Sequence, residues 1–129
     1  MKTIIIDGNN FSNLEEFYDE VEAKLTKGLD WKIGRNLDAY NDVLRGGFGV
    51  HDYEEKIEIT WKNSDKSKAD LGQEETVNYL GQKMERCHPS NRASVKQALV
   101  EMQHGNGEIL FDTIVNITRE HEHVKLVLK

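Results

Sequence analysis

The sequence predicts an α/β fold: a small three-stranded parallel β-sheet packed by α-helices. Three short segments, near residues 3–6, 56–61 and 124–128, are rich in the apolar and β-branched residues typical of strands. Segments with helical spacing of apolar residues separate them. Because parallel strands need long, usually helical, crossover connections, this alternation favours a parallel sheet. The 129 residues are expected to form a single domain.

The first unit is expected to be a strand, a turn and a helix. Residues 3–6 are apolar and β-branched, and residues 7–10 form a turn cluster. Ser12 and Glu15 have the spacing of a capping box, which predicts a helix start. Gly28 is expected to end this helix in a left-handed conformation. Apolar residues recur between them at helical spacing: Leu14, Phe17, Tyr18, Val21 and Leu25.

A second, shorter helix and a second strand follow. Asn36 is the predicted N-cap, and Gly46 with Gly47 ends the helix. Residues 56–61 alternate between polar and apolar side chains, which predicts a strand. No element is predicted for the polar residues 63–70. The apolar stripe of the helix is Leu37, Tyr40, Val43 and Leu44.

The chain from residue 71 onwards is expected to be helical up to a closing strand. Two helices are predicted within residues 71–104, with a break at residues 87–91. A further helix is predicted over residues 108–120, followed by a strand over residues 124–128. The predicted hairpin faces carry Val77, Leu80 and Met84 on the first helix, and Val95, Leu99 and Met102 on the second.

Charge and composition narrow the class of function. The formal net charge is −6, and residues 1–55 hold 12 acids and 6 bases, whereas residues 56–129 hold 11 of each. An acidic region repels phosphates, so nucleic-acid binding is not expected and a basic partner is favoured. The single cysteine, Cys87, excludes a disulfide framework within the chain. No apolar run exceeds the three residues seen at 4–6, so neither a membrane span nor a secretory signal is expected, and the location is expected to be cytoplasmic.

Residues 34–46 read Gly-Arg-Asn-Leu-Asp-Ala-Tyr-Asn-Asp-Val-Leu-Arg-Gly. This segment resembles the signature of the barstar family, small intracellular inhibitors of barnase-type ribonucleases. Asp38 matches the signature aspartate, and Asp42 matches a second aspartate of the same helix. The strands near both ends and the Trp61 segment extend the likeness over residues 2–68 and 107–129. Residues 69–106 then read as an inserted helical hairpin, which extends the interface, mediates dimerisation or lengthens the domain.

The physical chemistry of the motif agrees with such a role. Asp38 and Asp42 are four residues apart, so their carboxylates share one face of the helix. Asp38 lies in the first turn, where an anion is favoured by the helix dipole, but Asp42 lies near the C-terminus, where it is disfavoured. A residue that breaks a local rule without local gain is a functional candidate. Arginine binds carboxylate and phosphate with the same fork, so two carboxylates can replace RNA phosphates in a basic cleft.

The resemblance implies a non-enzymatic inhibitor that occludes the active site of a basic ribonuclease. Asp42 would be the main electrostatic anchor, and Asp38 would contact the same cleft. No cofactor, metal, membrane or nucleic-acid partner is implied, and a monomer is favoured. The candidate contacts around the two acids are Tyr40, Asn41, Arg45, Gly46 and Phe48, although Tyr40 is equally a candidate for the core.

Departures from the family pattern leave a second interpretation open. The aromatic pair before the motif is replaced by Lys32 and Ile33, and Asn41 replaces a frequent tryptophan. The alignment places Asn116 where the last helix of other members carries a glutamate. Lys32 and Arg35 are expected to weaken the negative field of the two aspartates. The alternative is therefore a barstar-like immunity protein that neutralises a different toxin.

A small enzyme that uses its histidines is the remaining alternative. The His121-Glu122-His123 segment could bind a metal, but it lacks the spacing of known zinc motifs. Cys87 next to His88 could form a nucleophilic pair, but a lone cysteine in a short loop is typically inert. The glycines at positions 46, 47 and 49 follow a helix rather than a strand, which excludes a phosphate-binding loop.

Overall fold

The computed structural model describes residues 1–26, 34–47 and 49–129. No helix within these ranges is both long and apolar enough to cross a membrane. Three strands, six α-helices and two 3₁₀ turns follow one another there: β1 Lys2–Asp7, a 3₁₀ turn Gly8–Asn10, α1 Leu14–Leu25, α2 Leu37–Arg45, β2 Ile57–Lys62, α3 Ser64–Asp70, α4 Gln73–Arg86, a 3₁₀ turn Pro89–Asn91, α5 Arg92–Gln103, α6 Leu110–Arg119 and β3 Val124–Leu128.

The three strands form one parallel sheet in the order β1-β2-β3. Ile4 of β1 lies opposite Ile59 of β2, and Ile59 lies opposite Leu126 of β3. The predicted α/β fold with a three-stranded parallel sheet is therefore confirmed. Because side chains alternate along a strand, Ile4 and Ile6 of β1 share one face of the sheet with Ile57, Ile59 and Trp61 of β2, whereas the buried Thr60 lies on the other face.

Trp61 of β2 lies at the centre of the core. Its side chain is fully buried, and its ring stacks on Phe17 of α1 with ring centroids 5.7 Å apart. Phe111 of α6 packs 5.1 Å away, measured between centroids. The indole Nε1–H donates to Ser67 Oγ of α3 at 2.9 Å, which satisfies the one polar atom of the buried ring. Trp61 thus joins β2 to three helices.

The start of α1 differs from the predicted capping box. Asn13, not Ser12, is the N-cap, and its side chain accepts from Glu16 N–H at 2.9 Å. The Glu16 carboxylate accepts from the N–H of Ser12, the residue before the N-cap. The N-cap residue and its glutamate are therefore each one position later than the predicted Ser12 and Glu15. The α-helix ends at Leu25, before the predicted glycine end. Gly28 lies outside the described residues.

The polar segment after β2 forms the helix α3, which the sequence analysis missed. Its start is held by contacts with distant residues: Ser64 donates its N–H and its Oγ–H to the carbonyl of Lys129. Ser67 is fully buried, and its hydroxyl accepts a hydrogen bond from the Trp61 indole N–H. A seven-residue helix without an apolar stripe has no periodic signal, and tertiary contacts account for it.

The predicted helical hairpin consists of α4 and α5, packed against each other. Thr76 of α4 links it to α6, because its Oγ1 accepts from Leu110 N–H at 2.9 Å. Glu75 links it to α1 by accepting from Leu14 N–H at 2.8 Å. Both amides belong to the first turn of a helix, where N–H groups lack partners within the helix. The hairpin therefore caps two helices of the core.

Candidate functional site

The candidate site is the exposed face of α2, and local sequence accounts for this helix. Asn36 caps it by accepting from Ala39 N–H at 2.7 Å, as predicted. Val43 and Leu44 are fully buried on the opposite face, against the core. The helix ends at Gly46, whose φ of 85° is open to glycine. The outer face is thereby fixed in orientation by the burial of the inner face.

Asp38 and Asp42 both lie on this outer face and are exposed, as the spacing predicts. Asp42 forms an ion pair with Arg45, with 3.2 Å between Oδ1 and Nη1. The side chains are 63% and 52% exposed, so solvent screens the pair and it contributes little to stability. Asp42 and Arg45 therefore remain accessible to a partner.

Arg35 forms its ion pairs with the acids of α1 rather than with those of α2. Its guanidinium binds three carboxylates of α1: Nη1 donates to Glu22 at 2.8 Å, Nε donates to Glu15 at 3.0 Å, and Nη2 donates to Asp19. The hydrogen bonds that Arg35 donates to Asp19 and Glu15 raise the pKa of its guanidinium. Arg35 nevertheless lines the same hollow as Asp38, so the expected weakening of the field around Asp38 stays a prediction. Lys32 lies outside the described residues.

Tyr40 belongs to the core rather than to the partner-binding rim. Only 3% of the side chain is exposed. Its hydroxyl lies 2.7 Å from Thr118 Oγ1, and Thr118 donates its own proton to the Ile114 carbonyl, so Tyr40 is the donor. Burial raises the pKa of Tyr40 to about 12. The candidate site loses this residue, because the Tyr40 side chain is inaccessible to a partner.

The remaining candidates divide between the surface and the end of the helix. Asn41 is half-buried and its Oδ1 accepts from His121 Nε2 at 2.7 Å, a contact between α2 and the turn before β3. Gly46 is buried, so its role is to end the helix rather than to contact a partner. Phe48 lies outside the described residues.

Replacing Gly46 by alanine is expected to destabilise the fold by about 1–3 kcal/mol, because the residue would be forced into a sparsely populated backbone region. An added Cβ would also lie 2.2 Å from the carbonyl oxygen of Asp52. The measurement is the free energy of unfolding in urea.

Gly81→Ala provides the matched control, because a Cβ at this position in α4 meets nothing within 4 Å. Alanine there is expected to stabilise the helix by about 0.5–1 kcal/mol. Equal effects of the two replacements would contradict the structural role of Gly46.

The carboxylate of Glu108 lies beside Asn116, and the sequence analysis missed it. Its Nδ2 donates to Glu108 Oε1 at 2.5 Å, and Thr113 Oγ1 donates to Glu108 Oε2 at 2.8 Å. Glu108 is exposed and precedes α6, so α6 supplies the side chains that orient it. The helix predicted over residues 108–120 spans Leu110–Arg119, so Glu108 precedes it and its contact with Asn116 does not follow from helical spacing.

The histidines do not converge as metal ligands in the part of the chain that the structure describes. No three His, Cys, Asp or Glu side chains there are grouped so that they could hold a metal ion. Cys87 Sγ donates to the Met84 carbonyl, and His88 Nδ1 lies 2.7 Å from Ser90 Oγ. Each of these two side chains therefore has a partner within its own turn.

Comparison with known proteins places this geometry in a family. The family model described as "Barstar (barnase inhibitor)" matches residues 1–103. A Bacillus subtilis (strain 168) protein named "Putative ribonuclease inhibitor YrdF" is 46% identical over 46 residues. That match covers 36% of this chain and 48% of the relative, so the chain aligns with about half of the relative's length. Because the family model spans most of the chain, and the fold and the α2 motif agree with it, the protein belongs to the barstar family.

Proposed function

We propose that this protein inhibits a barnase-type ribonuclease by inserting the outer face of α2 into the active-site cleft. Asp38 and Asp42 would occupy the positions of substrate phosphates and bind the arginine and lysine side chains of the cleft. The observation that carries this proposal is that Asp42 is exposed on a helix whose opposite face is fully buried. Such a helix presents its carboxylates in a fixed direction.

Rigidity of α2 supports tight binding. Association costs less free energy when the binding surface is already ordered, because fewer side chains and backbone segments lose freedom. The terminal carbonyls of α2 have partners outside the helix: Arg45 O accepts from Glu54 N–H at 2.6 Å, and Leu44 O accepts from two histidines. The helix is therefore held at the end that bears Asp42.

Glu108 extends the proposed acidic surface. Tyr40 packs on Thr118, so α6 lies alongside α2, and the exposed residues of α6 continue the surface of α2. Glu108 is held there by Asn116 and Thr113. We propose that the Glu108 carboxylate, and not the Asn116 amide, is the group of this region that contacts a basic target.

The proposed mechanism is occlusion without catalysis. The inhibitor acts as a cytoplasmic monomer, and Asn41 and Arg45 border the two acids on the same helix. Arg45 is also available to a carboxylate at the edge of the target cleft, because it is half-exposed. This mechanism accounts for the position of Asp42 near a helix C-terminus, where the helix dipole disfavours a negative charge.

A ribonuclease inhibition titration tests the proposal. Equimolar inhibition of a barnase-type ribonuclease is expected. The association rate should fall by about tenfold or more between about 0.01 M and about 1 M salt, because screening suppresses attraction between opposite charges. Full ribonuclease activity in the presence of a large excess of this protein would exclude the proposed target.

A second candidate function is the neutralisation of a different toxin by the same face. One hollow is lined by Asp38 and by Lys83 and Arg86 of α4, so the hairpin adds basic side chains beside the acidic helix. A target matched to this surface would carry acidic groups next to its basic site. This alternative predicts no effect on barnase-type ribonucleases, together with a one-to-one complex, measured by sedimentation, with a toxin that lacks ribonuclease activity.

A further inference from the structure

Three histidines meet at the C-terminal end of α2. His51 follows the helix, while His121 and His123 belong to the turn between α6 and β3. The ring centroids of His51 and His123 are 6.4 Å apart, and those of His121 and His123 are 5.5 Å apart. Their spacing along the sequence is irregular, so this cluster exists only in the folded chain.

Each of the three rings bonds to α2. The Leu44 carbonyl accepts from His123 Nε2–H at 2.7 Å and from His51 Nε2–H at 3.0 Å. The third contact is the Asn41–His121 hydrogen bond. The last four carbonyls of a helix have no partner within it, and the imidazoles of His51 and His123 satisfy one of them, that of Leu44. They also tie α2 to the turn before β3.

The geometry fits neutral rings. A carbonyl only accepts, so the protons of His51 and His123 lie on Nε2. His51 is 3% exposed, and its Nδ1 is buried with no hydrogen-bond partner among the described residues. A second proton on this ring would therefore have no acceptor there. A single imidazolium at a helix C-terminus is favoured by the dipole, but two that share one carbonyl repel each other.

The charges around the cluster have both signs. Burial, and then the neighbouring His123 and Arg45, lower the pKa of His121, whereas Glu120 opposes the shift. Arg45 and the Asp42 carboxylate paired with it face the cluster from α2. The other groups that face it are Glu54, Glu55 and Lys56 from the segment before β2, and Glu120 and Glu122 from the turn before β3.

We infer that His51, His121 and His123 are positioning residues that hold α2 in their neutral forms and make target binding weaken in acid. This inference rests on the proposed function for its binding consequence. Protonation adds positive charge within the surroundings of Asp42 and Arg45, which opposes attraction to a basic cleft. It also places like charges at the end of α2, which loosens the helix. The added positive charge and the loosening of α2 both weaken target binding.

Hydrogen exchange without any target tests the positioning role. Amides at the C-terminal end of α2 are compared at about pH 7.5 and about pH 5.5, on either side of the ordinary histidine pKa of about 6.5. After correction for intrinsic exchange, the wild type should lose about fivefold or more of its protection in acid, because a second proton on His51 has no acceptor and charged rings in the cluster repel each other. The double variant His121→Gln/His123→Gln keeps N–H donors at two of the three positions but cannot be protonated there. With His51 as the one cluster ring left to take up a proton, it should lose less protection than the wild type, below about threefold.

His88→Gln is the matched control, since His88 is exposed in the hairpin and should leave the wild-type pH profile unchanged. Equal protection of wild-type α2 at both pH values, or an equal acid loss in the double variant, would overturn the inference.

The inhibition constant for a barnase-type ribonuclease is then compared at the same two pH values. It should rise in acid more for the wild type than for the double variant, and equal rises would overturn the coupling. Absence of all inhibition would refute the proposed function alone, since the exchange result stands by itself.

Discussion

Asp42→Ala is expected to weaken the binding of a barnase-type ribonuclease by about 100-fold or more, the cost typical of truncating one partner of a desolvated charge pair. In the proposed complex, Asp42 enters a basic cleft and water is displaced from both charges. Removal of the carboxylate then leaves cations of the target buried without a partner, which costs more than the lost attraction. The measurement is the inhibition constant at low salt.

The stability of the same variant should move little, which separates a binding role from a folding role. Asp42 is exposed, its ion pair with Arg45 is screened, and alanine is the better helix former. We therefore expect the free energy of unfolding to change by less than about 0.5 kcal/mol. Asp65→Ala, at an exposed aspartate of α3, is the control and should leave inhibition unchanged. Affinity of Asp42→Ala within about threefold of the wild type, a change below about 1 kcal/mol, would refute the proposed mechanism.

Trp61→Ala is expected to cost about 3–5 kcal/mol of unfolding free energy, the usual range for deleting a buried tryptophan. The free energy of unfolding of a native domain is about 5–15 kcal/mol. This loss is a large fraction of it, so the variant should be largely or partly unfolded at elevated temperature. The side chain is 1% exposed and packs on Phe17 and Phe111. Its removal leaves a cavity between the sheet and the helices and deprives Ser67 Oγ of its donor.

Urea unfolding followed by circular dichroism measures this effect. Tyr53→Ala is the control, since Tyr53 is 66% exposed and its truncation should change the free energy of unfolding by less than about 0.5 kcal/mol. A loss below about 1 kcal/mol for Trp61→Ala would contradict the central position of this residue in the core.

Periodic elements of this protein could be predicted from the sequence. The three strands, the parallel sheet, the N-cap Asn36 and the end of α2 at Gly46 all agree with the structure. These features depend on residues close in sequence, or on the requirement that parallel strands have helical connections. The exposure of Asp38 and Asp42 follows from the same periodicity, whereas their role in binding a target remains a prediction.

Elements without a periodic signal could not be predicted. The helix α3 depends on Lys129 and Trp61, which are far from it in sequence or lie on another element. At α1 the sequence analysis assigned the capping box to Ser12 and Glu15, and only the observed hydrogen bond identifies Asn13 as the N-cap. The amides that begin α6 are satisfied by Leu71 and Thr76, neither of which is a local capping residue.

By itself, the sequence determined the sheet, the amphipathic helix α2 and the face on which its two aspartates lie, because hydrophobic periodicity and capping act over a few residues. Only the tertiary structure decided that Tyr40 is a core residue, that Arg35 binds α1, that Glu108 lies beside Asn116 and that three histidines hold the end of α2. The physical reason is that each of these contacts joins residues at least seven positions apart. Their geometry is set when the helices pack on the sheet, and no local pattern encodes it.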